Sequence, residues 1–242
     1  MPSALSPHRP VCCFSRDDRW RGRSVGPRVP TGRIDLPALP ARLLADLARE
    51  TAALALEPGD VEQLSLARAR SRWPDFRLCV AAAGDWLQAQ GLPAALLADA
   101  ERSLMACRGA RFHHDGERYG GAAFFNVFVG GAAGLELHFA ATGQRLALER
   151  GTAMVFDTCQ PHAVLPCGSA GFDARDFLPE RDWTQYFLTW ELPIDDTALA
   201  AALGVGFDVD PDCALRRSAG VSVGGRAAEV CPVSGRWRPA AS

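Results

Sequence analysis

From Ala110 to Glu191 the chain is a succession of short runs rich in Phe, Val, Leu and Thr, at 110–115, 122–129, 135–140, 145–149, 152–157, 162–166 and 184–191. Glycines, twice as adjacent pairs, separate them at every junction but that of 152–157 with 162–166. Such runs are the length of strands, and regular turns between them leave little room for helices, so this half reads as an antiparallel β-core. Before residue 110 the spacing is helical. Leu43, Leu44, Leu47 and Leu54 follow Pro40, and the run ends at Glu57, Pro58 and Gly59. A second helix is expected around Val80–Gln90, and a third from Pro93 carrying Leu96, Leu97, Ala100 and Leu104, with Gly109 as its cap. Helices first and strands second predict an α+β protein.

The length of 242 residues suits one domain with tails, and 48% apolar residues supply a core. All 26 basic residues are Arg, so mechanisms that need a lysine are excluded: Schiff bases, P-loops and Ser–Lys pairs. Residues 1–33 carry a net +5 and residues 214–242 a net +4, which leaves −11 on 34–213. An acidic middle argues against nucleic-acid partners. The two basic ends, rich in Arg, Pro, Gly and Ser without periodicity, read as a disordered leader and tail around a 34–213 domain. A transit peptide or interaction arm is the other reading of the leader, weakened by Asp17 and Asp18. Eight cysteines without a Cys-x-x-Cys framework predict free thiols in a reducing cytoplasm. No apolar run is long enough for a membrane span. The sequence fixes no oligomeric state.

The chemistry concentrates at three residues. His113 and Asp115 form a His-x-Asp pair, and His162 stands alone 47 residues after the Asp. On one strand, i and i+2 face the same way, so His113 and Asp115 can reach one metal and His114 must point elsewhere. Two imidazoles and one carboxylate are the ligand set of a facial iron(II) site with open positions. The segments around them are specific as well. Gly151, Phe156, His162, Val164 and Pro166 form a Gly-x4-Phe-x5-His-x-Val-x-Pro stretch, and residues 134–139 hold Gly, Leu and Phe at alternating positions after Ala133.

With these motifs, residues 109–192 resemble the iron(II)/2-oxoglutarate-dependent oxygenases. The resemblance implies a double-stranded β-helix (jelly roll) buttressed by the N-terminal helices. It further implies Fe(II) on His113, Asp115 and His162, with 2-oxoglutarate and O2 as co-substrates and succinate and CO2 as products. A small molecule or an amino-acid side chain would be hydroxylated or otherwise oxidised. The far carboxylate of 2-oxoglutarate needs a cation, and a guanidinium suits it. Phe172 occupies the spacing at which the family places that Arg, so Arg181 is the first candidate and Arg175 the second. If Gln185 opens the equivalent strand, a neutral amide stands where the cation belongs. Asn126, the one Asn of the chain, is a candidate hydrogen-bonding residue for co-substrate or substrate.

Two rivals stay open. One keeps the fold and metal without 2-oxoglutarate, as a cupin-like metalloenzyme would. The other is a non-catalytic binding barrel. A thiol nucleophile at Cys159 beside His162 lacks any reason for in-line geometry, and Cys159, His162 and Cys167 match no standard zinc spacing. His114 and His138 read as structural.

Overall fold

The computed structural model describes residues 9–210, 212–216 and 218–240. In chain order the strands are β1 (Val11–Arg16), β2 (Arg19–Ser24), β3 (Thr31–Arg33), β4 (Val61–Leu64), β5 (Glu101–Cys107), β6 (Ala110–His113), β7 (Ala122–Phe128) and β8 (Leu135–Phe139). They continue as β9 (Gln144–Ala147), β10 (Thr152–Asp157), β11 (His162–Pro166), β12 (Gln185–Pro193), β13 (Gly220–Val223), β14 (Arg226–Val230) and β15 (Trp237–Pro239). The helices are α1 (Ala41–Ala53), α2 (Leu66–Arg70), α3 (Phe76–Ala89), α4 (Gly116–Tyr119), α5 (Thr197–Leu203) and α6 (Cys213–Arg216). The seven expected β-runs each overlap one strand, β6 to β12.

These strands build three antiparallel sheets, in a mixed α+β architecture. The largest has the order β3-β10-β7-β12-β5-β4, a second β6-β11-β8-β9, and a third β15-β14-β13-β1-β2. Alternation along the strands decides what each face meets. Phe125 and Val127 of β7, and Leu188 and Trp190 of β12, share one core with Leu43 and Leu47 of α1 and with Ala83, Trp86 and Leu87 of α3. Trp86 stacks on Phe125 at 5.4 Å, and Phe125 on Trp190 at 5.2 Å. Their strand neighbours Phe128 and Phe187 turn to the opposite face and pack with Leu135, Leu137 and Phe139 of β8 and with Val164 of β11. The functional cavity opens between these two sheets.

The third expected helix is corrected. Pro93 leads only into a 3-10 turn at Ala94–Leu97, and the chain then becomes β5. Leu104, expected on a helix face, is fully buried in this strand. Pairing with β12 on one side and β4 on the other outweighs local helical spacing. Gly109 caps no helix; its φ of +84° turns the chain from β5 to β6.

The expectation of disordered ends at 1–33 and 214–242 is corrected too, apart from 1–8, 217 and 241–242, which lie outside the described residues. Val11, Cys12 and Cys13 pair with Ser222, Val221 and Gly220, so the two ends form one sheet. Local composition cannot reveal a pairing over two hundred positions. The Arg residues that suggested disorder have acidic partners elsewhere: Arg16 on Asp195, Arg21 on Asp208 and Arg23 on Asp157. The C-terminal segment covers the outer face of β11, where Val230 and Trp237 meet Phe112, Ala163 and Leu165.

Cys13 and Cys213 form a disulfide across 200 residues, correcting the expectation of eight free thiols; the other six are free. Replacing both by Ser is expected to lower the unfolding free energy by about 2–4 kcal/mol. Urea melts with and without reductant measure this, and a wild-type midpoint unmoved by reductant would contradict it. Among the described residues no helix is long and apolar enough to cross a membrane.

Candidate metal centre

His113 and His162 face each other across the β6–β11 pair, where they are register partners with ring centroids 4.4 Å apart. The register slips between His162 and Val164, whose partner is Ala110. Two residues of β6, Arg111 and Phe112, thus oppose one of β11, a bulge that re-aims the side chains after it. Asp115 does not share a strand with His113, which corrects the strand-face expectation. β6 ends at His113, and Asp115 stands at the N-terminal end of α4. The Asp115 amide donates to the Thr158 carbonyl at 2.7 Å, tying it to the loop that leads into His162. Gly116 follows because a Cβ there would lie 2.4 Å from Cys159 Sγ. His114 points away as expected, its ring 5.1 Å from that of Trp237.

The histidine tautomers follow from their partners. His113 Nδ1 lies 2.7 Å from the Arg111 carbonyl and His162 Nδ1 lies 2.9 Å from the Gln160 carbonyl. A carbonyl only accepts, so both Nδ1 atoms carry the proton and both Nε2 lone pairs are free to bind metal. The two Nε2 atoms lie 3.7 and 3.6 Å from the Asp115 carboxylate oxygens. One ligand atom from each of the three residues falls within 4.8 Å of the others, a spacing that a single cation can bridge. Burial, and then the neighbouring His113, push the His162 pKa down to about 3, while the hydrogen bond to Gln160 works the other way. Burial raises the Asp115 carboxyl, against the pull of His113 and His114. His162 is therefore neutral and ready to ligate at any ordinary pH.

The triad opens into a cavity of about 350 Å³. Its apolar part is formed by Phe128, Leu137, Phe156, Val164 and Phe187, and its polar part by Ser103, Asn126 and Thr189. Glu101, Glu191, Arg118 and Tyr119 also line it. Asn126, the candidate hydrogen-bonding residue, lines this cavity. Arg181 and Arg175 do not, which corrects both candidates. Arg181 is exposed and lies over the Trp183 ring at 4.2 Å. Arg175 is exposed and bound to Asp173, with Nε 3.0 Å from Oδ1. Both belong to the segment between β11 and β12, outside the sheet face that lines the cavity. Gln185 opens β12 fully buried, and its amide donates to the Gly131 and Leu148 carbonyls at 2.8 and 2.6 Å. Among the described residues Arg118 is the single Arg lining the cavity.

A buried ion pair supports the centre from behind. Arg23 and Asp157 are both wholly buried and joined bidentately, at 2.6 and 2.8 Å. Arg23 also donates to the Gly120 and Ser24 carbonyls and to Cys159 Sγ, while Asp157 accepts from the Gly26 and Cys159 amides. Burial works most strongly against the guanidinium charge, but Asp157 together with Cys159 and Cys12 outweighs it, so the Arg23 pKa is raised. Gly120 ends the turn that begins at Asp115, and Cys159 precedes His162, so one side chain of β2 joins both ligand-bearing segments. Sequence reasoning missed it because it was read as part of a disordered leader.

No family model matches the chain, and no curated protein matches it. Among solved structures it is similar to the 2OG complex of a viral collagen prolyl hydroxylase from Paramecium Bursaria Chlorella virus-1, at 10% identity and a TM-score of 0.41 over 67% of this chain and 94% of that one. It is similar to a Pseudomonas putida prolyl-4-hydroxylase at 19% identity and a TM-score of 0.40, over 68% and 92% of the two chains. AviO1 from Streptomyces viridochromogenes Tue57 follows at 12% identity and a TM-score of 0.34, over 71% and 91%. Likenesses of this size carry no argument about chemistry, which rests on the side chains described above.

Proposed function

We propose that the protein is an iron(II)-dependent oxygenase on a double-stranded β-helix, oxidising a small molecule or an amino-acid side chain. The observation that carries this is the convergence of His113, Asp115 and His162 on one point at the wall of a cavity, with both Nε2 atoms free. Two imidazoles and a carboxylate fit iron(II) and leave it open positions. When bound, the metal would supply O2 activation. The chain's own residues do the rest: the carbonyls of Arg111 and Gln160 hold the imidazoles in place. Phe156 packs against His162 and keeps water from its buried side. The acidic balance of 34–213 speaks for a small substrate over a nucleic acid.

The sequence resemblance makes 2-oxoglutarate the first co-substrate to test, with succinate and CO2 as products. The residues fit it incompletely. No cation stands on β12, where neutral Gln185 donates to two carbonyls, and Arg118 is the one Arg among the described residues on the cavity wall. We therefore derive no step through it. Gln185 favours a second reading, a metal-dependent enzyme of the same fold that does not take 2-oxoglutarate. Anaerobic titration with Fe(II), then with 2-oxoglutarate, separates the two. A weak visible charge-transfer band, followed by succinate formation in air, supports the first reading. Fe(II) binding without the band supports the second, and no Fe(II) binding overturns both.

A further inference from the structure

The sheet face opposite β8 and β11 is laid out in rows that run across the strands. Reading across β10, β7, β12 and β5, one row is Phe156, Phe124, Glu191 and Glu101, and the next is Met154, Asn126, Thr189 and Ser103. The first row begins at the metal centre, since the Phe156 ring lies 5.0 Å from that of His162. Phe124 sits edge-on to Phe156 at 5.9 Å. Glu191 is two strands from Phe156, about 10 Å, and Glu101 one strand further. Both carboxylates line the cavity, and neither makes an ion pair or hydrogen bond among the described residues. Like charges opposite each other on paired strands repel. Burial, then the charge of Glu101, raises the Glu191 carboxyl above its usual range, and Arg118 lowers it. Arg118 is exposed, so two carboxylates face the cavity against one solvated guanidinium.

An independent observation comes from the second row. Asn126 and Thr189 are 7% and 9% exposed, and Asn126 Oδ1 and Thr189 Oγ1 are buried with no hydrogen-bond partner. Both line the cavity. The Asn126 oxygen can only accept, so what satisfies it must bring an N–H or O–H.

The geometry points to a substrate bearing a cationic nitrogen, an ammonium or guanidinium seated between Glu191 and Glu101. Its apolar stem crosses Phe124, a donor group meets Asn126 and Thr189, and the carbon to be oxidised lies at the Phe156 end. Cation recognition belongs to the sheet wall alone; only the placement of the oxidised carbon rests on the oxygenase reading. The same wall disfavours dicarboxylates.

The test is calorimetric titration of the full chain, free of metal, with Nα-acetyl-lysine methylamide and Nα-acetyl-arginine methylamide. The norleucine and glutamate methylamides serve as neutral and anionic counterparts, and 1,6-diaminohexane stands for a free amine. At least one basic probe is expected to bind tenfold or more tightly than the norleucine probe, and the glutamate probe more weakly than either. In the Glu101→Gln/Glu191→Gln double variant the preference should fall to within twofold. Neither glutamate is buried and glutamine is isosteric, so an unchanged melt confirms folding. Tightest binding of the diamine identifies a free amine, and of a methylamide a basic side chain. Equal binding of the norleucine probe, a preference that survives in the double variant, or no binding of any cationic probe overturns the proposal. A separate Fe(II) titration reads the metal centre, so a chain that prefers cations without binding iron keeps this inference and loses the oxygenase.

Discussion

Asp157→Ala is expected to lower the unfolding free energy by about 3–5 kcal/mol, because it leaves the wholly buried Arg23 charge without its partner. Arg23→Ala should cost a similar amount for the mirror reason. Each five-donor guanidinium contact here is matched: one to Gly120, one to Ser24, two to Asp157 and one to Cys159. Removing either side chain strands several buried polar groups at once. The double replacement Arg23→Met/Asp157→Leu should recover much of the loss, since desolvating two charges costs nearly what their attraction returns. A double-mutant cycle in urea measures the coupling. Single variants that lose less than about 1 kcal/mol would contradict a central role for the pair. The functional consequence is distinct from the stability loss. Asp157 fixes the Cys159 amide at 2.8 Å, and Arg23 holds the Gly120 carbonyl. Even the rescued double variant should therefore bind Fe(II) more weakly than the wild type.

That pair marks the boundary of what the sequence could tell. The strands β6 to β12 were legible because they are short apolar runs, most of them set off by a turn glycine. Gly151 shows this: its φ is +85°, and a Cβ would lie 2.1 Å from the Ile34 carbonyl. The triad was legible because metal ligands are few residue types at fixed spacings. Its detailed geometry was not, since a bulge in β6 and a turn at Asp115 replace the simple i, i+2 face. The ordered ends were illegible for another reason. β1 pairs with β13, and Arg23 finds Asp157 134 residues away, so each segment looks structureless until its partner is present. Arg181 and Arg175 failed because a position along the chain does not say which side chains a sheet turns inward. Alternation along β12 could have found the better residues. Once Leu188 and Trp190 face the helices, Thr189 and Glu191 must face the cavity.

His162→Ala is expected to weaken Fe(II) binding by roughly 100-fold or more, beyond the 10–100-fold typical of losing an outer partner. Of the two imidazoles His162 is the buried one, 6% exposed, and its Nδ1 is already committed to Gln160. Among the described residues no other imidazole is placed to take over: His114 turns toward Trp237, and His138 packs on Phe112 outside the cavity. The same substitution has a pH signature in the metal-free chain. Burial holds the folded His162 pKa near 3 against 6.5 for the free side chain, so between these values the unfolded chain binds the extra proton. Its contribution to stability is thus present above pH 6.5 and lost progressively as the pH falls toward 3. Asp115 has the opposite sign: its folded pKa is raised, so its contribution declines as the pH rises above 3.8. The wild type carries both contributions, and His162→Ala removes the first while leaving that of Asp115. Urea midpoints taken from pH 7 down to pH 4 should therefore fall less steeply in the variant. A variant slope as steep as the wild type's would mean that His162 is protonated in the folded chain. Its Nε2 would then be closed to a metal in mild acid.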